Sequence, residues 1–122
     1  MELTPSQARQ TLTGLRLAIG SAVWLAPRQT ARLFGLDPAE NPATPYVARL
    51  FGARNVAIGA VLLDGDDAEL DRWLGYGIAL DAADALASLG GGIRGYLPKR
   101  AAVMTGLTAA AAIALGLVAR ER

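Results

Sequence analysis

Six polar side chains fall inside stretches that are otherwise apolar: Arg16, Arg49, Arg54, Asn55, Asp81 and Asp84. An ionised group at the centre of a membrane helix costs about 2.5 to 3.5 kcal/mol on insertion scales, so these must pair or reach a polar cavity. Helical spacing aligns them. Gly77, Asp81, Asp84 and Ser88 follow an i, i+4, i+7, i+11 stripe, and Arg9, Thr13, Arg16 and Gly20 follow the same one, so both stripes should face inward. Gly52, Asn55 and Gly59 share a face small enough for another backbone to approach closely. Matching depths predict Arg54 opposite Asp81 and Arg49 opposite Asp84, with Arg16 as the third cation.

Three Arg against two Asp leave one formal positive charge. One reading is a polar cavity that takes a small acidic or polar headgroup, with Arg16 and Arg54 as anchors and Arg49, Asn55, Asp81 and Asp84 around them. Another is a purely structural network, in which Arg49 snorkels to the interface and the remaining charges balance. A third is catalytic: Asp81 and Asp84, three residues apart, could share a proton and supply an acid and a base, with Arg54 and Tyr76 stabilising developing charge.

Much other chemistry is excluded by residue type. With no Cys and no His among 122 residues there is no disulfide, thiolate or imidazole zinc site, His-ligated haem, thiol nucleophile or Ser-His triad. The acidic run Asp64, Asp66, Asp67, Glu69 and Asp71 lacks the ligand order and glycine of a calcium loop, and reads as a solvated loop and helix cap. No metal site or cofactor is expected. A formal net charge of +1 gives no basic face for nucleic acid.

The elements that must position the six residues are helices. Thr4-Pro5-Ser6-Gln7 carries a capping box and a first-turn Pro, so a first helix runs over about 5–26, where Pro27 stops it. Thr44-Pro45 starts a second over about 45–63; Asp66 and Glu69 box a third over about 67–89, ending at Gly90-Gly91-Gly92; a fourth covers about 98–120. Residues 27–35 mix two Arg with Leu33 and Phe34 and close on Gly35, the pattern of a short interfacial helix. The 25 Ala and 14 Gly imply close helix packing.

Residues 101–119 contain no charge and no polar face, and a chain of this length has too few other helices to bury such a helix on every side. Lipid is the simpler surrounding. The predicted fold class is therefore all-α: a single domain, 1–122, forming a four-transmembrane-helix bundle with one short interfacial helix. Trp24, Tyr46, Trp73, Tyr76 and Tyr96 all fall near predicted helix ends, where a membrane interface would favour them. Loop cations divide four (Arg9, Arg72, Arg120, Arg122) against five (Arg28, Arg32, Arg94, Lys99, Arg100), which barely sets an orientation and leaves an antiparallel homodimer open.

The run Arg49 to Gly59, with residues 27–36 before it and Asp81-Ala82-Ala83-Asp84 after it, resembles the small bacterial four-helix membrane proteins grouped as a domain of unknown function. Its most specific pieces are Gly-x-Arg-Asn and the later Asp-x-x-Asp. The resemblance implies the fold and a location in the bacterial cytoplasmic membrane, and carries over no catalytic residue. The leading expectation is an integral membrane protein that binds a lipid-like or small polar molecule at the Arg/Asp cluster, or serves as an accessory subunit. A membrane-embedded isomerase, cyclase or epoxide-opening enzyme using Asp81 and Asp84 is the alternative, and a small dimeric transporter or channel the second.

Overall fold

A computed structural model describes residues 3–121, which form five α-helices and, among the described residues, no strand. They are α1 (Pro5–Leu25), α2 (Pro27–Leu33), α3 (Thr44–Asp64), α4 (Asp67–Arg94) and α5 (Lys99–Arg120). Both expected capping boxes form. Thr4 Oγ1 accepts from Gln7 N–H at 3.1 Å while Gln7 Oε1 accepts from Thr4 N–H, and Asp66 and Glu69 repeat the exchange at the start of α4. Each box satisfies two backbone donors that a helix start leaves open. The short helix after Pro27 is present, tied back to α1 by the Thr30 hydroxyl, which donates to the Ala22 carbonyl at 3.1 Å.

Two expected boundaries are corrected. Thr44 does not cap α3 but is its first helical residue; Ala43 holds the cap position without a side-chain bond, and Asn41 Oδ1 accepts from Ala43 N–H instead. The helix expected over 67–89 runs straight through Gly90-Gly91-Gly92 to Arg94 and reverses at Gly95, at φ +84°. Three glycines weaken a helix by about 1 kcal/mol each, but here two of them permit close packing. A methyl on Gly91 would lie 2.9 Å from Leu97 Cβ, and one on Gly92 2.8 Å from Ala102 Cβ. The true stop is the residue whose left-handed backbone only glycine adopts without strain.

The long helices form a ring in the order α3, α1, α5, α4. The α1 helix packs against α3 and α5, α4 packs against α5, and the seam closing the ring between α3 and α4 is the thinnest of the four. The links, one of them carrying α2, reverse the chain each time, so neighbours run antiparallel and α1 lies diagonally across from α4. At the α1–α3 crossing Gly20 and Gly52 touch backbone to backbone: a methyl on either would sit 2.8 or 2.7 Å from the other's carbonyl oxygen. Toward the α1 N-terminus the centre of the ring is filled, with Leu12, Ile58, Leu62, Leu74 and Ala112 in contact and Leu70, Trp73, Leu80, Leu115 and Ala119 around them; a cleft of about 290 Å³ lies at the end, beside Pro5, Arg9 and Arg120.

Of the four expected spans, α3 and α5 are long and apolar enough to cross a membrane. They are not core helices, for only 28% and 22% of their most apolar stretches is buried. The α1 and α4 helices carry Arg9, Arg16, Asp81, Asp84 and several charges near their ends, which lower their apolar character. Large apolar side chains point outward from the whole ring, among them Leu25, Leu50, Leu63, Leu86, Ile93 and Leu107.

Candidate functional site

Five of the six candidate residues form a layer across the middle of the ring. Arg16, 4% exposed, reaches from α1 across the diagonal to Asp81 on α4, 5% exposed. Its Nη2 donates to Asp81 Oδ2 at 2.6 Å and its Nη1 to Oδ1 at 3.3 Å, the two-pronged match of guanidinium and carboxylate. Nη1 also donates to Asn55 Oδ1 at 3.0 Å, and Asn55 Nδ2 donates to the Phe51 carbonyl. Gly77 makes room: a methyl there would lie 2.8 Å from Arg16 Nη2. Arg16 Nε, buried, has no partner among the described residues.

The second pair is Arg54 with Asp84, Nη2 to Oδ2 at 2.6 Å, bridging the thin α3–α4 seam. Both side chains are about one-third exposed, at 34%. Arg54 also lies over the Phe51 ring at 5.0 Å. The predicted partners are thus corrected. Arg54 does not meet Asp81, and Arg49 does not meet Asp84: Arg49 is exposed, its Nε donates to the Trp24 carbonyl at 3.0 Å, and its guanidinium sits 5.9 Å from the Trp24 ring. The layer therefore holds two cations and two anions. Asp81 spends both oxygens on Arg16, whereas Asp84 Oδ1 accepts no hydrogen bond among the described residues. Tyr76, expected to assist catalysis, is exposed and lies outside the cavity described next.

Beyond the layer, toward α2, the ring is hollow. A cavity of about 470 Å³ is floored by Arg16, Asn55, Asp81 and Asp84 and walled by Leu15, Ile19, Val23, Val47, Ala48, Phe51, Ala87, Ala109 and Ala112. Pro27, Thr30, Ala31, Phe34, Leu36 and Leu97 close its far end. Val47, Phe51 and Ala87 line it while exposed, so it opens sideways between α3 and α4. The wall threonines add little polarity, because Thr30, Thr105 and Thr108 each donate to a main-chain carbonyl. Ser88 Oγ lies 2.7 Å from Thr105 Oγ1.

Spacing had placed Asp81, Asp84 and Ser88 on one inward stripe, and all three line the cavity. What it missed is the contribution of the far end, α2 and residues 34–36, whose mixed polarity gave no inward signal, and of α5, whose apolar run shows no inward face. Among the described residues no group of His, Cys, Asp or Glu could hold a metal ion.

The described residues thus form an all-helical ring with a balanced ion layer beneath a side-opening, mostly apolar cavity. The family described as Domain of unknown function (DUF4267) matches residues 13–119, and the chain belongs to it. No curated protein and no solved structure matches the chain.

Proposed function

We propose that the protein is a four-span membrane protein that holds a mostly apolar small molecule in the chamber, with the molecule's polar end at the ion layer. The observation that carries this reading is the cavity itself: about 470 Å³, apolar on its walls and charged only at its floor. That volume is within the range of roughly 300 to 1,000 Å³ typical of sites for drug-sized ligands, and a few fixed polar groups at one end are what orient such a ligand. The membrane setting is supported by the polarity pattern, apolar outside and ion-paired inside. A lateral opening between α3 and α4 would admit a ligand directly from the lipid phase.

Native mass spectrometry of gently extracted protein tests the reading, with Ala109→Phe as the comparison. Ala109 is buried and lines the wall, so the larger ring takes up chamber volume without replacing any ion-layer side chain. A small molecule retained by the wild type and missing from a folded Ala109→Phe variant supports binding there. Both proteins free of small molecules, with the variant more stable and functionally unchanged in cells, would make the chamber a packing defect and overturn the reading.

A further inference from the structure

We infer that the ligand is electroneutral and hydroxyl-ended, a single-chain or ring lipid alcohol and not a fatty acid or lipid amine. This deepens the binding reading and rests on it. Charge comes first. The layer pairs Arg16 with Asp81 and Arg54 with Asp84, and Arg49 leaves the cluster for the Trp24 carbonyl and ring. The cation that seemed to demand an anionic headgroup is thus outside the site. An ionised headgroup buried against a neutral layer would have no counter-charge, the arrangement that low-dielectric surroundings penalise most.

Hydrogen bonding then selects the neutral end group. Arg16 turns both terminal nitrogens to Asn55 and Asp81, and Asn55 donates its amide to the Phe51 carbonyl, which leaves the buried Arg16 Nε as a donor without a partner among the described residues. The open positions on α4 are acceptors. Asp84 Oδ1 is unengaged. Thr105 gives its proton to the Ala101 carbonyl at 2.7 Å, so Ser88 donates to Thr105 and keeps its own lone pairs. Asp84 and Ser88 stand one turn apart on α4, both on the cavity wall. Two acceptors and the Arg16 Nε donor at one end of an apolar chamber match a neutral group that both donates and accepts, as a hydroxyl does. A carboxylate brings only acceptors and a negative charge to Asp84. An ammonium donates, but Arg54 already neutralises Asp84 at 2.6 Å, so the second cation would sit beside a guanidinium.

The experiment uses the full chain in lipid nanodiscs and three photoreactive alkyl probes of one chain length, ending in an alcohol, a carboxylate or an amine. Each carries a mid-chain diazirine and is used at a pH where acid and amine are charged. Labelling is read by peptide mass spectrometry at Phe34, Val47, Phe51 and Ala109. The alcohol should label these positions at least about tenfold more than either charged probe, the size of one lost charge-assisted hydrogen bond. In Asp84→Asn, which leaves Arg54 unmatched, the carboxylate should become the preferred probe; with Asp84→Asn and Arg54→Gln together the alcohol should lead again. A wild type that takes the acid or the amine as well as the alcohol overturns the neutral-headgroup inference and leaves cavity binding standing. Labelling of outer-surface residues alone by all three probes overturns both.

Discussion

Arg16 and Asp81 show how the same two residue types can be weak or decisive according to burial. Removing one partner of a buried pair leaves an uncompensated charge and typically costs 3 to 5 kcal/mol, whereas replacing both by apolar residues is often neutral. Arg16→Met should therefore lower stability by about 3 kcal/mol or more, and adding Asp81→Leu should restore most of it, as read by thermal unfolding in detergent. A double variant as unstable as the single one would mean that Asp81 is not held by Arg16. Arg49→Met, by contrast, removes one exposed bond to a carbonyl and a ring contact, and its loss should stay near 0.5 to 1 kcal/mol in the same assay. The identity of the ion-layer residues was legible in the sequence, because charges within apolar helices stand out. Their partners were not. Asp81 and Asp84 are three positions apart and so point about 60° apart around α4; which guanidinium each meets depends on ring order, and depth along the helix does not encode that.

At the scale of the element, glycine's role is decided by what stands opposite it. Gly90 has nothing within 4 Å of where a methyl would go, and Gly92 has Ala102 Cβ at 2.8 Å, because two positions along a helix turn the second glycine about 200° away, onto a nearly opposite face. Gly90→Ala should raise stability by roughly 0.4 to 1 kcal/mol through the unfolded chain's lost freedom. Gly92→Ala should lower it by about 1 to 3 kcal/mol by forcing α4 from α5. Denaturant titration of the two variants checks both; equal effects of the same sign would contradict the observed contacts. Helix starts were legible because Thr4-Gln7 and Asp66-Glu69 carry their own local hydrogen-bond chemistry. The end of α4 was misplaced because a run of three glycines looks the same whether it breaks a helix or lets another helix close upon it.

The whole molecule adds what neither residues nor elements contain. Small residues were read as a sign of close packing, and at the Gly20–Gly52 crossing they are. At Ala48, Ala87 and Ala109 the same smallness leaves space, since the opposite walls do not come in to meet it. All-α architecture followed from periodicity; the chamber required knowing the ring order and the thin α3–α4 seam. The proposed four-span arrangement makes its own prediction. Because the native chain has no Cys, Glu40→Cys and Asp67→Cys each provide a single thiol, one in the link before α3 and one at the start of α4. An impermeant maleimide applied to oriented vesicles should reach them from opposite sides. Labelling of both from one side would rule out a spanning α3.

The ion layer also divides the protein into two mechanical regimes. On one side lies the close-packed group around Leu12, Leu62 and Leu74; on the other lies the open chamber. Voids are what pressure removes, so compression should act more on the chamber than on the packed centre around Leu12. The two ends of a single α-helix, α1 or α3, would then respond differently to the same force. A ligand that occupies the chamber should erase that difference, making the protein uniformly stiff only when it is loaded.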